Sequence, residues 1–193
     1  RTAVQTVSSR RLGQNKEVDS GVSFHNGLIM AGIFSFPVTY IGWSYTSKIV
    51  PFFLKDPTTI SLAIEYTSVV FVSLLFSVFS FVFVGFYTGV EKTKIHMTVT
   101  ITSNLINLYL NAALIYGSDG VESFFRDVVP SLSFLSAIWG WASFPAMGVK
   151  GAALATLIAS AWMVVHYFLY LFSKDIKNRF GIFSFSYNHK MMQ

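Results

Sequence analysis

The chain contains no cysteine and few charges: 14 basic and nine acidic residues among 193 make 12% charged, about half of the 25% usual in a soluble domain. Lack of cysteine excludes a disulfide framework, thiolate metal sites and a cysteine nucleophile. Scarcity of charge excludes a water-soluble globule, because an exterior enclosing a core of this size could not be solvated by so few ionic groups. Lipid is the medium that fits such a surface. What is abundant agrees, since 53% of the residues are hydrophobic and 20 are phenylalanine, for a mean hydropathy of +0.55. The formal net charge of +5 would suggest nucleic acid in a soluble chain. In a membrane chain its meaning lies in which connections carry it.

A secretory signal is absent from the first twenty residues, which hold Arg1, Arg10, Arg11, Lys16, Glu17 and Asp19 and no continuous apolar core. The opening at Arg1 reads as the middle of an element and 187–193 as a polar tail, so a longer polypeptide is expected. Four stretches reach the roughly 20 apolar residues that a helix needs to cross a bilayer: 22–47, 60–87, 97–116 and 148–172. An open strand edge does not survive in hydrocarbon, so all four are expected as helices. Pro51, Asp56 and Pro57 mark 48–59 as a hairpin turn, and Glu91, Lys92 and Lys94 mark 88–96 as a second polar turn. Pro37 is expected to kink the first span.

Residues 128–149 carry no charge and could count as a fifth span. The basic residues argue against it. With four spans, one side receives Arg1, Arg10, Arg11, Lys16, Lys92, Lys94, Lys174, Lys177, Arg179 and Lys190, and the other Lys48, Lys55, Arg126 and Lys150, a division of ten against four. A fifth span would send Lys174, Lys177, Arg179 and Lys190 to the opposite side and level the division, losing the positive-inside asymmetry. Segment 118–147 is therefore read as an external loop at the interface or re-entrant, with Trp139 and Trp141 at headgroup level. The expectation is an all-α, polytopic transmembrane helix bundle in the plasma (cytoplasmic) membrane, with 1–20 and 174–193 cytoplasmic and no nucleic-acid partner.

On the third span Thr100, Asn104, Asn107 and Asn111 recur at intervals of four, three and four, which places them on one helical face. Amides facing lipid would leave donors and acceptors unpaired, so this face looks toward other helices or a watery cavity. Two readings stand beside each other: hydrogen bonds between helices, worth about 0.6 kcal/mol each, or a functional site whose amide oxygens suit a hard cation. Ser73, Ser77 and Ser80 share a face of the second span and read first as packing devices. Glu65, the one acid within a span, either reaches water near the boundary or carries a proton. Gly148, Gly151, Ala152, Ala155, Thr156, Ala159 and Ser160 form two small-residue ladders for close backbone approach. His166 reads as an interfacial or hydrogen-bonded residue before a relay, and His25 and His96 as segment ends. No zinc-protease pair, nucleophile elbow, phosphate loop or dinucleotide fingerprint occurs.

Several strings resemble the multidrug and toxic compound extrusion (MATE) family of secondary transporters, in the order of that family's amino-terminal lobe. Val7-Ser8-Ser9-Arg10-Arg11-Leu12-Gly13 is similar to the polar end of the second helix, and Gly89 with Thr93, Lys94 and Met97 to the charged turn after the fourth. Leu105-Ile106-Asn107-Leu108-Tyr109-Leu110-Asn111, with Leu114-Ile115-Tyr116-Gly117, resembles the fifth-helix motif. Gly148-Val149-Lys150-Gly151-Ala152-Ala153-Leu154-Ala155-Thr156 resembles the start of the sixth. Residues 1–193 would then be a partial amino-terminal lobe, from the end of helix two through helix six, with about four complete membrane helices and a missing carboxy-terminal lobe as partner.

The resemblance implies a transporter and not an enzyme: an antiporter exporting amphipathic or cationic small molecules by alternating access, multidrug efflux type, coupled to a sodium ion or a proton, with no further cofactor or metal. It places Asn107, Asn111 and Thr156 on the cation site, and Thr100, Asn104 and Ser77 become cavity-lining candidates. Asn111 stands where some members have aspartate, which removes a titratable group; Glu91 and His96 stand where glycine and proline are common. A flippase for a lipid-linked saccharide, of related architecture, is the alternative, although the spans hold almost no lysine or arginine to meet a pyrophosphate.

Overall fold

In the computed structural model of the chain, residues 2–182 are described, and every regular element among them is helical. The order is α1 (Thr2–Gly13), α2 (Glu17–Phe53), α3 (Pro57–Gly89), α4 (Thr93–Asp127), a 3-10 segment (Pro130–Ile138), α5 (Gly148–Leu171) and α6 (Lys174–Arg179). Helices α2 to α5 are each long and apolar enough to cross a membrane, as the four apolar stretches predict. The expected polar tail at 187–193 lies outside the described residues.

The helices overrun the apolar stretches. Residues 48–59, expected as a turn, shrink to 54–56, because α2 stays helical through both Pro37 and Pro51. Proline supplies a helical φ but removes one donor and crowds the carbonyl four residues back; after Pro51 the helix runs only two residues further, to Phe53. Asp56 then starts α3 by accepting bonds from the Thr59 backbone N–H and hydroxyl, both at 2.7 Å, with Pro57 in the first helical position. The second turn contracts to 90–92 around Glu91, whose φ is +62°, as Lys92 N–H donates to the Tyr87 carbonyl at 2.8 Å. His25 and His96 consequently lie inside α2 and α4 and not at segment ends.

Segment 118–147 is more helical than a loop. The helix continues to Asp127 past Gly117, whose φ of 73° and ψ of 170° interrupt it. A 3-10 turn follows from Pro130, which cannot donate to a preceding carbonyl and so starts an element more readily than it continues one.

The chain divides into two compact units. The first comprises the chain up to Tyr40, Leu74–Ser103 and Ser160 onward. Its core is aromatic: Phe24, Phe86, Tyr87, Tyr167 and Phe180 are essentially inaccessible. Phe24 meets Phe83 and Phe86 at centroid distances of 5.2 and 4.8 Å, and Gly27 lets α2 close on Val82, so α2 and α3 run antiparallel here. Without a hydrophobic drive between helices in lipid, such packing and hydrogen bonds hold them together, each aromatic pair adding about 0.5–1.5 kcal/mol. Helix α6 buries Ile176 and Phe180 in this core and is tied by Arg179 to Glu17 at 2.6 Å and by Asp175 to Lys92 at 2.5 Å. The His25 ring and the Ile182 carbonyl lie 2.6 Å apart.

The second unit comprises Ile41–Ser73 and Asn104–Ala159. Here the small-residue ladder of α5 acts as expected: a Cβ on Gly151 would lie 2.5 Å from the Leu114 carbonyl carbon, and Ala153 and Ala155 are fully buried. Segment 118–147 is fastened back onto α4, with Met147 N–H donating to Leu114 at 2.8 Å and Ser118 N–H to Phe144 at 3.1 Å. Trp139 stacks on Tyr109 at 5.4 Å and donates its indole N–H to the Tyr109 carbonyl at 3.0 Å.

Candidate functional site

The polar face of α4 divides between the two units. In the second, the Asn111 side-chain amide donates to Asn107 Oδ1 at 2.9 Å, the bond that residues four apart on a helix can make. Both residues are half-buried. The pairing consumes one donor and leaves Asn111 Oδ1 and a second lone pair on Asn107 Oδ1 as acceptors. Thr156, half-buried on α5 in the same unit, donates to its own helix at Ala152 O, 3.0 Å away, so its hydroxyl oxygen also keeps acceptor capacity. Thr156 makes no hydrogen bond to either asparagine. Asn104 is exposed. Of the three residues expected to hold a cation, the structure joins two and places the third on a separate helix.

In the first unit, Thr100 and Ser77 line a cavity of about 270 Å³ together with Ser80, His96 and Ser160. His96 belongs to this cavity although the sequence reading set it aside. Its Nδ1 lies 2.7 Å from Tyr167 Oη and 3.2 Å from Thr100 Oγ1. Tyr87 donates its hydroxyl to the Tyr167 carbonyl at 2.8 Å. Farther along, Thr102 Oγ1 and His166 Nδ1 are 3.0 Å apart, which gives His166 the hydrogen-bonded role read for it. The partners of His96 and His166 lie 71 and 64 positions away, and no local spacing marks such pairs.

Near the helix ends four ion pairs form among the described residues. A hydrogen bond from Lys92, and then its positive charge, hold the Asp175 carboxyl below the usual carboxylate range. Bonds from Thr59 do the same for Asp56. Glu65 is exposed on α3. Among the described residues no three His, Asp or Glu side chains come together as metal ligands would, so a cation held here would rest on neutral oxygens, the chemistry of amides and hydroxyls.

With four helices fit to span a bilayer and only helices as regular elements among the described residues, the chain is a polytopic integral membrane protein. The MatE family profile matches residues 1–113, and the chain belongs to that family, one of transporters and not of enzymes. Its fold is similar to the inward-facing conformation of a multidrug resistance MATE family transporter of the MOP superfamily, with a TM-score of 0.73 at 20% identity. That match covers 99% of this chain and 38% of the transporter, so the chain spans well under half of its length. No curated protein matches. The matched residues include the Asn107 and Asn111 string but stop short of the one at 148–156.

Proposed function

We propose that this chain is part of a cation-coupled antiporter that exports amphipathic or cationic compounds by alternating access, with a sodium ion or a proton as the coupling ion. The observation that carries the reading is the Asn107–Asn111 side-chain pair at 2.9 Å, set on a membrane helix of a MatE-family chain. Paired amides spend a donor on each other and keep carbonyl oxygens for an ion, and Thr156 adds a hydroxyl whose own proton is already engaged. A second lobe completes the transporter and supplies the opposing wall of the substrate path. The ten-against-four division of basic residues supports a plasma-membrane orientation with 1–20 and 174–193 in the cytoplasm.

Coupling needs only a difference in ion affinity between the two access states. If the ion favours one state by about 2 kcal/mol, a compound bound by the other loses roughly 30-fold in relative affinity, enough to drive exchange. The test is efflux of a fluorescent lipophilic cation from cells expressing the full native polypeptide, under separate sodium and pH gradients. Asn107→Ala is expected to abolish the ion dependence while the protein stays in the membrane. Unchanged ion dependence in that variant would refute the site, and no efflux under either gradient would favour the flippase.

A further inference from the structure

The cavity of the first unit holds a group that the cation site lacks. Asn107, Asn111 and Thr156 do not titrate, but His96 stands on the cavity wall beside Ser77, Ser80, Thr100 and Ser160. We propose that His96 is a proton-binding site, exchanging its proton with this cavity near neutral pH. The inference rests on the transport reading for its consequence, not for its chemistry.

Three features of the surroundings support it. First, two hydroxyls lie within hydrogen-bond reach of His96 Nδ1, Tyr167 Oη at 2.7 Å and Thr100 Oγ1 at 3.2 Å. A hydroxyl donates to a neutral imidazole nitrogen and accepts from a protonated one, so either state of the ring keeps its hydrogen bond. Second, Tyr167 meets the imidazole end-on, with ring centroids 6.4 Å apart and planes 22° apart, which aims its hydroxyl at the ring nitrogen. Its own position is fixed by stacking on Phe83 at 5.6 Å and by the Tyr87 hydroxyl on its carbonyl. Third, the cavity of about 270 Å³ has room for several waters, and the Ser80 hydroxyl on its wall is buried with no hydrogen-bond partner among the described residues. The rest of the wall is apolar, with Phe81, Val84 and Met163, so water in the cavity gathers at the hydroxyls and the imidazole, and water is the carrier a proton needs.

The titratable and charged groups on the elements packed around His96 are Tyr87 on α3, Glu91 and Lys92 in the turn before α4, Lys94 on α4, His166, Tyr167 and Tyr170 on α5, and Lys174 and Asp175 at α6. Lys92 is neutralised by Asp175 at 2.5 Å, which reduces the repulsion that an imidazolium would otherwise meet from that side.

Residue-resolved hydrogen exchange at the imidazole C2 position, followed by mass spectrometry on the full native polypeptide in lipid nanodiscs, reads this proton without any transport assay. His96 is expected to titrate with a midpoint between about pH 5 and 8, the range that histidine reaches with modest perturbation. Tyr167→Phe removes the acceptor of the charged ring and is expected to lower proton affinity at least about threefold, since charge-assisted bonds are the stronger ones. Thr100→Val removes the second hydroxyl, with a smaller shift in the same direction. An exchange rate at His96 without a titration step between pH 5 and 8, or a midpoint unmoved by both variants, would overturn the proposal. In the efflux assay His96→Gln is expected to flatten the pH profile. A titrating His96 in a polypeptide that exports nothing would instead refute the antiport reading and leave the proton site standing.

Discussion

Gly151→Ala should damage this fold far more than an alanine in a helix ordinarily does. A Cβ at position 151 would lie 2.5 Å from the Leu114 carbonyl carbon, nearer still to its oxygen, and 3.1 Å from Ile115 N. Carbon atoms settle at about 3.5–4.0 Å, so α5 must retreat from α4 by about 1 Å. The obstruction is backbone on both sides, with no flexible side chain to give way. Overpacking of this kind costs about 1–3 kcal/mol, and the retreat also strains the bond from Met147 N–H to the same Leu114 carbonyl, 2.8 Å long, for about 0.5–1.5 kcal/mol more. A total of about 2–4 kcal/mol corresponds to a fall in apparent melting temperature of roughly 5–15 °C for a chain of this size. The assay is thermal challenge of the detergent-solubilised native polypeptide followed by fluorescence-detected size-exclusion chromatography. Gly13→Ala, where a Cβ meets nothing within 4 Å, is the control and should match the native protein. A Gly151→Ala variant as stable as that control would refute the close-approach argument.

Further outcomes follow from other positions. Gly117 combines φ 73° with ψ 170°, a conformation almost confined to glycine, and a Cβ there would lie 2.9 Å from Ala146 N. Gly117→Ala should therefore cost about 1–3 kcal/mol and raise the rate of proteolytic cleavage within 118–147. Asp175→Asn should lower the melting temperature at pH 7. Because Lys92 depresses the Asp175 carboxyl, the native advantage is present above about pH 4 and disappears as the pH falls through the lowered value. A gap that widened in acid would contradict this pairing.

The spans were legible in the sequence because lipid exposure demands long apolar runs, and four of them stand out. Their ends were not, since Glu17 and Asp19 begin α2 well before its apolar stretch, and a membrane helix need not stop where the hydrocarbon does. Pro51 looked like a breaker and proved to be a last-turn residue, a distinction that depends on where the next cap falls, here Asp56. On the site, the spacing of Asn107 and Asn111 put them on one helical face, but the bond they make runs along α4 itself and not between helices, as one reading of that face had it. His96 was invisible as a cavity residue. Its chemistry depends on Tyr167, brought beside it only when α5 returns antiparallel to α4, and single-chain spacing contains no such information.

The bond between Asn107 and Asn111 lies within one helix, and this limits how any switch could work. Two amides borne by the same rigid rod keep their separation however that rod tilts, so an ion held as proposed would meet the same pair of oxygens in every access state. Under the proposed coupling, discrimination between states would have to come from a ligand on a part that moves against α4, and Thr156 is not so placed, because α5 is locked to α4 where Gly151 meets the Leu114 backbone. The pair would be a fixed jaw, with the leverage in whatever closes against it.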